Sequence, residues 1–259
     1  MHRQAIGIDI GGSSIKAAVV DLSRGCLVGE RHSVPSPAMS AVSEMLHAMA
    51  EAVPADTAHL PAGVTFPGVV VAGTVHTAAN VAKSWIGQPL AEPAAQKLKR
   101  EVVAINDADA AGLAEVHFGA ARGVAGTVMV LSLGTGIGSA LFVDGHLVPN
   151  TELGHLEFDG MEAEIRASGR ARIERKLDWA GYVTELNYVL NRIHALFWPD
   201  LIVLCGGITG DHPNLAEELK VPTRLKLGAL RADAGIVGAA FATTLKKGVW
   251  IDQAKAAGE

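Results

Sequence analysis

The chain has 259 residues, of which 49% are hydrophobic and 19% are charged, and its formal net charge is −5. These values are typical of a globular protein with a sizeable core, and a weakly acidic chain without a long basic block is not expected to bind nucleic acid. Glycine supplies 29 residues, more than the usual share of about 7%, which predicts many tight turns or close approaches of the backbone to a ligand.

Three features of the sequence bear on where the protein resides. Its cysteines, Cys26 and Cys205, are far apart and lack the spacing of a paired metal site. A strand pattern begins by Ala5, so we expect no signal peptide and a cytoplasmic protein. The longest uncharged run, residues 123–143, is long enough for a membrane helix but contains five glycines. We therefore predict two strands around a glycine turn there and no association with a membrane.

Strand-like and helical patterns alternate along the chain, which favours an α/β fold. Residues 5–21 are typical of a strand, a glycine turn and a second strand that ends at Asp21. Further strands are predicted at residues 62–66, 69–71, 101–105 and 201–204. Helices are predicted at residues 40–53, 90–100 and 108–118, with a last helix that starts near Gly235.

The sequence contains an internal repeat. A shift of 123 positions aligns residues 9–21 with residues 132–144, and four of the thirteen pairs are identical. The identical pairs are Gly11 and Gly134, Ala17 and Ala140, Val20 and Val143, and Asp21 and Asp144. Just beyond, residues 25–28 are echoed by residues 145–148. Chance agreement between two strand-turn-strand sequences is the alternative, but a duplicated α/β domain explains the pattern better.

Each copy of the repeat has a glycine turn. The GTGIG sequence at residues 134–138 has the wrong spacing for a dinucleotide-binding loop and leads into a strand. Backbone N–H groups at such turns can nevertheless bind phosphate oxygens. We therefore predict phosphate binding by Gly11, Gly12 and Ser13 in the first turn and by Gly134, Thr135 and Gly136 in the second. The alternative is that both are ordinary β-turns.

Duplicated lobes that each open with a strand, a glycine turn and a strand resemble the actin-like sugar kinases, and within them the ROK family. The resemblance extends from Ala5 to Ala240. The segments that carry it, which are similar to the actinobacterial polyphosphate glucokinases of that family, are GVTFPGVV at 63–70, TAANVAKSWIG at 77–87, NDADAAGLAE at 106–115, LGTGIGSALF at 133–142 and VPNTELGHLE at 148–157. The resemblance implies a duplicated actin-like (ribonuclease H-like) α/β fold with two lobes around a cleft. We expect a small lobe of residues 1–106 and 235–259 and a large lobe of residues 107–234.

The same resemblance implies an enzyme that transfers a phosphoryl group from inorganic polyphosphate, with ATP as a further donor, to the 6-hydroxyl of glucose. It also implies Mg²⁺ and a homodimer. One alternative is an ATP-dependent hexokinase for glucose, mannose or another hexose, because the turn at residues 205–208 corresponds to one that packs on adenosine in ATP-using relatives. A remote alternative is a sugar-binding regulator, but the regulators of this family carry an N-terminal helix-turn-helix, which we do not find before the first strand.

Asn106 and Asp107 follow a predicted strand and open a predicted helix, so we expect them at the carboxyl end of a strand, where α/β proteins bind ligands. Phosphoryl transfer to an alcohol needs an acceptor for the hydroxyl proton, and a carboxylate can serve. From the residues alone, capping of the helix by Asp107 or Asp109 is favoured. The resemblance to ROK kinases instead implies that Asp107 is the catalytic base.

The ELGH motif presents Glu152 and His155, and Glu164 follows in a segment, AEIRASG, that resembles a second ROK sugar-binding motif. Carboxylates, an amide and an imidazole can orient sugar hydroxyls, because a hydroxyl both donates and accepts hydrogen bonds. Without the resemblance, a histidine near a glutamate more often makes a structural hydrogen bond. The resemblance implies that Asn106, Asp107, Glu152, His155 and Glu164 bind the sugar.

The chain departs from many ROK proteins in one respect that concerns zinc. Those proteins carry a cysteine-rich zinc loop beside the histidine of ELGH, but this chain has no cysteine between Cys26 and Cys205. We therefore expect no zinc, and what orients His155 stays open.

Asp9, beside the first glycine turn, is the predicted magnesium ligand. Mg²⁺ that arrives with a phosphoryl donor keeps several waters and uses only one or two carboxylates. The alternative is that Asp9 closes its own turn.

A polyphosphate chain is expected to contact a track of cations. The densest cationic clusters are Arg166, Arg170, Arg172, Arg175 and Lys176, and Lys83, Lys97, Lys99 and Arg100. Charged helix faces are usually only solvated, so the prediction of the donor depends on the family resemblance.

Overall fold

The computed structural model describes residues 3–37, 42–78 and 81–245 of the chain. The chain divides into two compact units, one of Met1–Ala114 and Asp233–Glu259 and the other of Glu115–Ala232. The lobe boundaries predicted from the sequence stay a prediction. No helix in the described part of the chain has the length and apolar character needed to span a membrane.

The first unit is built on a five-stranded sheet. The strands of the unit are β1 (Gln4–Ile10), β2 (Ser14–Asp21), β3 (Cys26–Pro35), β4 (Ala62–Phe66), β5 (Val70–Val71), β6 (Thr74–Val75) and β7 (Val102–Asn106). Of these, β5 and β6 form a separate two-stranded sheet. Helices α1 (Val42–Ala52), α2 (Ala91–Leu98) and α3 (Asp107–His117) accompany them. The sheet order is β3-β2-β1-β4-β7, with β1, β2 and β3 antiparallel and with β4 and β7 parallel to β1. Short turns join the antiparallel strands, whereas β4 and β7 are reached through connections that contain α1 and α2.

The second unit contains another five-stranded sheet. The strands of the unit are β8 (Thr127–Leu133), β9 (Ile137–Val143), β10 (His146–Val148), β11 (Glu157–Phe158), β12 (Met161–Glu162), β13 (Leu201–Cys205) and β14 (Arg224–Leu227). Of these, β11 and β12 form a separate two-stranded sheet. Its helices are α4 (Ala163–Ala167), α5 (Gly169–Glu174), α6 (Trp179–Phe197), α7 (Gly207–Asp211) and α8 (Leu215–Glu218). The sheet order is β10-β9-β8-β13-β14. As in the first unit, three antiparallel strands are followed by two strands parallel to the first.

The two sheets confirm the duplication predicted from the internal repeat. The shift of 123 positions pairs Ile10, where β1 ends, with Leu133, where β8 ends. The similar segments beyond the repeat, residues 25–28 and 145–148, contain the starts of β3 and β10, at Cys26 and His146. β1 and β8 also bury the same positions along their seven residues. What the two copies share is therefore the pattern of buried side chains more than their identity.

The last described helix, α9 (Ala234–Ala242), returns the chain to the first unit and packs closely on its sheet. A Cβ atom at Gly7 of β1 would lie 1.8 Å from the carbonyl oxygen of Ile236. A Cβ atom at Gly63 of β4 would lie 1.7 Å from the carbonyl oxygen of Ala239. The helix can approach the strands this closely only because both positions lack a side chain.

The predicted elements are present, with bounds that differ by one or two residues. The uncharged run at residues 123–143 forms β8 and β9, as predicted. The helix predicted to run to residue 100 ends at Leu98, because Lys99 adopts a left-handed φ of 52°. The strand predicted at residues 101–105 extends to Asn106. The helix predicted to start at residue 40 is described from Val42, and residues 40 and 41 lie outside the described residues.

Candidate functional site

The first glycine turn joins β1 to β2 in the first unit. The N–H group of Gly11 donates to the carbonyl of Ser14 (3.0 Å). Ser36, just after β3, holds the turn through its N–H to the carbonyl of Ser13 (3.0 Å) and through its hydroxyl to the carbonyl of Gly11 (2.5 Å). Among the described residues, no hydrogen bond engages the N–H groups of Gly12 and Ser13. The turn therefore presents amide hydrogens, which is the chemistry that an anion requires.

The second glycine turn joins β8 to β9 in the second unit and is held in a similar way. The N–H group of Gly134 donates to the carbonyl of Gly136 (3.1 Å), and that of Gly169 donates to the carbonyl of Gly134 (2.8 Å). Arg170 Nε donates to the carbonyl of Thr135 (3.2 Å), which brings a guanidinium to the turn. Within the described part of the chain, the N–H groups of Thr135 and Gly136 have no hydrogen-bond partner. These two residues are equivalent in the repeat to those with unengaged N–H groups in the first turn.

Glu164, in the first turn of α4, reaches the second glycine turn. Its Oε2 accepts a hydrogen bond from the N–H group of Ile137 (3.3 Å). The same oxygen lies 2.4 Å from the place that a Cβ atom on Gly136 would occupy. The family resemblance implies that Glu164 binds the sugar, and nothing in the sequence indicates its contact with this turn. The structure places this carboxylate beside the predicted phosphate-binding backbone.

Asp9 lies near the end of β1, and its contacts are not with its own turn. Thr65 Oγ1 donates to Asp9 Oδ1 (2.9 Å) and accepts from the N–H group of Ile10 (2.9 Å). A Cβ atom at Gly235, near the start of α9, would lie 2.8 Å from Asp9 Oδ1, so the carboxylate packs against that helix end. One of the two carboxylate oxygens of Asp9 therefore already accepts a hydrogen bond from Thr65. A carboxylate of this kind fits an outer-sphere role, in which it accepts hydrogen bonds from the waters that Mg²⁺ keeps.

Asn106 ends β7 and Asp107 begins α3. Asn106 is only 4% exposed, its Nδ2 donates to the carbonyl of Gly68 (3.0 Å), and its Oδ1 accepts from the N–H group of Asp109 (2.9 Å). The side chain that caps α3 in this way is therefore Asn106. Asp107 is half-buried, and its Oδ1 accepts from the N–H group of Ala108 (2.8 Å). Its carboxylate lies at the end of the helix where the backbone dipole favours a negative charge.

The ELGH motif forms a short 3-10 turn, Leu153–His155, directly after Glu152 in the second unit. Gly154 packs on β9, where a Cβ atom would lie 2.2 Å from the carbonyl oxygen of Ile137. His155 Nε2 is 3.8 Å from Glu152 Oε2. His155 Nδ1 is 2.9 Å from Oε2 of Glu162, a residue that the sequence analysis did not select.

The pKa values of His155 and Glu152 are both raised, for different reasons. The hydrogen bond to Glu162 raises the pKa of His155, partial burial opposes this shift, and the charges of Glu164, Glu162 and Glu152 reinforce it. Partial burial raises the pKa of Glu152, His155 acts against the shift, and the charge of Glu164 adds to it. The group therefore favours a charged imidazole among carboxylates, a mixture of donors and acceptors that suits hydroxyl groups.

His155, Glu162 and Glu164 each bring one nitrogen or oxygen atom to within 4.8 Å of the others. A single ion could contact all three atoms. The hydrogen bond between His155 and Glu162 already accounts for the approach of those two side chains. The expectation that the chain binds no zinc stays a prediction.

Most arginines of the densest cationic cluster, residues 166–176, contact other side chains of the second unit. Arg166 Nη1 and Arg175 Nη2 both contact the carboxylate of Glu185, at 2.9 Å and 2.6 Å. The guanidinium of Arg172 lies over the ring of Trp179, 5.6 Å from its centroid. These three arginines support the packing of α4, α5 and α6. They are therefore poor candidates for a polyphosphate track, whereas Arg170 lies at the second glycine turn.

The chain matches a known family and close relatives over most of its length. A model of the ROK family matches residues 5–172. The polyphosphate glucokinase of Mycobacterium leprae (strain TN) is 44% identical over 244 residues, which cover 94% of this chain and 75% of that protein. The polyphosphate glucokinase of Mycobacterium tuberculosis (strain CDC 1551 / Oshkosh) is 43% identical over 245 residues, which cover 93% of this chain and 92% of that protein.

A solved structure shares both the fold and much of the sequence. The inorganic polyphosphate/ATP-glucomannokinase of Arthrobacter sp. strain KM superposes with a TM-score of 0.88 at 45% identity, covering 94% of this chain and 100% of that one. This match, together with the two equivalent sheets, confirms the predicted duplicated actin-like sugar kinase fold.

Proposed function

The chain belongs to the ROK family, and we propose that it is a polyphosphate-dependent glucokinase. It transfers the terminal phosphoryl group of inorganic polyphosphate to the 6-hydroxyl of glucose and yields glucose 6-phosphate. The observation that carries this conclusion is the similarity, over nearly the whole chain, to two polyphosphate glucokinases and a polyphosphate/ATP-glucomannokinase. The same similarity favours an enzyme over a sugar-binding regulator.

ATP is a second phosphoryl donor in this proposal, and the name of the Arthrobacter neighbour favours it. The turn at residues 205–208, which corresponds to one that packs on adenosine in ATP-using relatives, follows β13. Gly206 there has a φ of 97°, and a Cβ atom on it would lie 2.5 Å from the carbonyl oxygen of Leu133. Only glycine fits both conditions, and α7 begins at the next residue. Because the Arthrobacter neighbour is named a glucomannokinase, mannose should be tested as an acceptor beside glucose.

We assign the role of general base to Asp107. Its carboxylate accepts the proton of the 6-hydroxyl as the oxygen forms a bond to the terminal phosphorus, while the bond from that phosphorus to the rest of the polyphosphate breaks. The shortened polyphosphate leaves with the electron pair of that bond. The junction of β7 and α3 holds Asp107 at a fixed point of the backbone, which supports this assignment.

We propose that Asn106, Asp107, Glu152, His155 and Glu164 bind glucose. Asn106 uses one of its two amide hydrogens in the bond to Gly68, so the second remains for a sugar hydroxyl. The carboxylates and the imidazole offer several acceptors and at least one donor. A sugar that lacks a matching hydroxyl would leave these groups unpaired, which is a physical basis for selectivity.

We propose that the two glycine turns bind the phosphates of the donor. The N–H groups of Gly12, Ser13, Thr135 and Gly136 make the contacts, while Gly11 and Gly134 shape the turns through their own hydrogen bonds. Asp9 would hold Mg²⁺ through its waters. Magnesium, when bound, neutralises charge on the phosphoryl oxygens.

A coupled assay that detects glucose 6-phosphate tests this function. The full chain is incubated with glucose, Mg²⁺ and either polyphosphate or ATP, and we expect turnover with polyphosphate. Asp107→Asn should lower kcat by about 10²–10⁴-fold, the usual contribution of a general base. Asp56→Asn, at an exposed residue, is the matched control and should keep the wild-type kcat.

Each part of this proposal can fail separately. Absence of turnover with both donors would contradict the kinase function. Turnover with ATP alone would contradict polyphosphate as the donor. Full activity of Asp107→Asn would contradict only the assignment of the base. A homodimer and the lobe boundaries at residues 106 and 235 stay proposals from the family resemblance, and a cytoplasmic location stays a proposal from the cysteine content and the early first strand.

A further inference from the structure

We propose that Glu162 is a positioning residue that orients His155 for sugar binding. This inference rests on the proposed function, because it concerns the same site. It starts from the 2.9 Å contact between His155 Nδ1 and Glu162 Oε2. An ionised carboxylate can only accept a hydrogen bond, so Nδ1 must carry the hydrogen. Glu162 thereby determines which ring nitrogen is left for a ligand.

That nitrogen is Nε2, which lies 3.8 Å from Glu152 Oε2. With Nδ1 held by Glu162, Nε2 accepts a hydrogen bond when the ring is neutral and donates one when it is charged. In both states the ring presents Nε2 beside Glu152. The side chain of His155 is 56% exposed, so packing alone does not fix its rotamer. Glu162 supplies the missing constraint.

Glu162 is itself held by the hairpin of β11 and β12. Phe158 of this hairpin is buried, and its carbonyl accepts from Arg166 Nη2 (3.3 Å). Asp159, at the hairpin turn, accepts a hydrogen bond from the hydroxyl of Tyr188 on α6. The carboxylate of Glu162 is therefore presented from a supported backbone, as a positioning role requires.

A purely structural role for Glu162 would be to cap α4, which it directly precedes. It occupies the N-cap position of that helix, but its side chain makes no capping hydrogen bond. Its carboxylate is directed to His155 instead. The geometry therefore gives Glu162 a contact that serves the histidine and not the helix.

The test compares Glu162→Ala and Glu162→Gln with a matched control. Glu157 pairs with Glu162 in the hairpin and is exposed, so Glu157→Gln removes one carboxylate charge from the same hairpin and keeps the bond between His155 and Glu162. We expect Glu162→Ala to raise both the glucose Kd, measured by calorimetry without a donor, and the glucose KM by about tenfold, the cost of one lost hydrogen bond to a charged group. The KM for polyphosphate and the melting temperature should stay at wild-type values. Glu162→Gln keeps an acceptor for Nδ1 and should recover part of the loss.

Two further measurements separate positioning from a general structural effect. In the His155→Ala background, Glu162→Ala should weaken glucose binding no further, because its partner is absent. In ¹⁵N spectra of histidine-labelled protein, the wild-type His155 should carry its hydrogen on Nδ1, and Glu162→Ala should shift the neutral ring towards the Nε2–H form. His155→Ala identifies the signal.

An unchanged tautomer in Glu162→Ala, an unchanged glucose Kd, or a full additional loss in the His155→Ala background would each overturn the inference. Failure of the proposed function has a different signature. In that case the wild-type protein forms no glucose 6-phosphate with either donor, while the ¹⁵N spectra still report whether Glu162 orients His155.

Discussion

Gly136 lies in the predicted phosphate-binding turn, and its lack of a side chain leaves room for the predicted sugar-binding residue Glu164. Its hydrogen-bonded turn belongs to the predicted phosphate site, and the place of its absent Cβ atom is 2.4 Å from Glu164 Oε2. Glu164 can approach the turn only while that space is open. The identity of one residue therefore affects the position of a carboxylate on α4.

We predict that Gly136→Ala displaces Glu164 and weakens glucose binding without unfolding the protein. The displaced atom is the end of a flexible side chain, so the free energy of unfolding should change by less than about 1 kcal/mol. The glucose KM should rise by about tenfold, as for the loss of one charged hydrogen bond. Steady-state kinetics and urea unfolding measure the two effects.

Gly210→Ala is the control for this prediction. Within the described structure, a Cβ atom at Gly210 would have nothing within 4 Å, and the residue lies in α7 with an ordinary helical φ. It should keep the wild-type KM and stability. A Gly136→Ala protein with wild-type glucose KM would show that Glu164 tolerates the methyl group or does not bind the sugar.

At the scale of single residues, the sequence predicted where a residue lies in a strand or helix better than it predicted which side chains that residue contacts. The strand-to-helix junction at Asn106 and Asp107 could be located from hydrophobic periodicity. The identity of the capping residue could not, because Asn106, Asp107 and Asp109 are all good caps and only the backbone direction selects among them. The contact of His155 with Glu162 was missed, since it depends on a distance across a hairpin.

Helices α4, α5 and α6 are joined by one carboxylate, that of Glu185. It accepts from Arg166 Nη1 and from Arg175 Nη2, and Arg175 Nη1 also donates to the carbonyl of Arg166 (2.6 Å). Arg166 and Glu185 are mostly buried, with 16% and 19% of their side chains exposed. Since α4 also carries Glu164, this ion-pair network supports the helix that presents that carboxylate.

We predict that Glu185→Gln destabilises the protein at neutral pH by about 1–3 kcal/mol, because a neutral amide cannot satisfy two guanidinium groups. Partial burial would raise the pKa of Glu185, but the hydrogen bonds from Arg175 and Arg166 and their charges lower it overall below its ordinary value of 4.5. A carboxylate with a lowered pKa contributes stability above its unfolded-state pKa and loses that contribution as pH falls through the folded-state pKa. The difference between wild type and variant should therefore shrink in acid.

Urea unfolding at neutral pH and in acid measures this difference. Glu174→Gln, on the exposed side of α5, is the control and should match the wild type at both pH values. A difference for Glu185→Gln that does not depend on pH would mean that packing, rather than charge, accounts for the loss.

At the scale of elements, one signal in the sequence could have revealed Glu162. Asp159 and Gly160 form an Asp-Gly pair between short segments, which is the strongest local sign of a two-residue hairpin. Both residues have a positive φ, 53° and 73°, as that hairpin type requires. Recognising it would have placed Glu157 opposite Glu162. The two strands have only two residues each, too few for periodicity to indicate them.

At the scale of the whole molecule, the duplicated architecture was predictable from weak sequence identity. The equivalent strands keep the same buried positions because each sheet must bury both faces of its central strands. The division between the two units at Ala114 and Glu115 falls inside α3, which continues through it without a linker. A change in composition marks a boundary only where the chain leaves regular structure.

We predict that Gly63→Ala destabilises the first unit by more than about 3 kcal/mol. Its Cβ atom would lie 1.7 Å from the carbonyl oxygen of Ala239 in α9, and backbone atoms cannot move aside as a flexible side chain can. Chemical unfolding measures the loss, with Gly210→Ala again as the control. A loss below about 1 kcal/mol would contradict the close packing of α9 on β4.

The return of α9 to the first sheet imposes an order on synthesis at the ribosome. Contacts such as that between Gly63 and Ala239 join residues that are far apart in the sequence, so this unit is completed only after α9 has emerged. The residues of the other unit, Glu115–Ala232, are contiguous and are all available earlier. During translation of that stretch, the nascent amino-terminal sheet exposes apolar surface, and its risk of aggregation grows with the translation time.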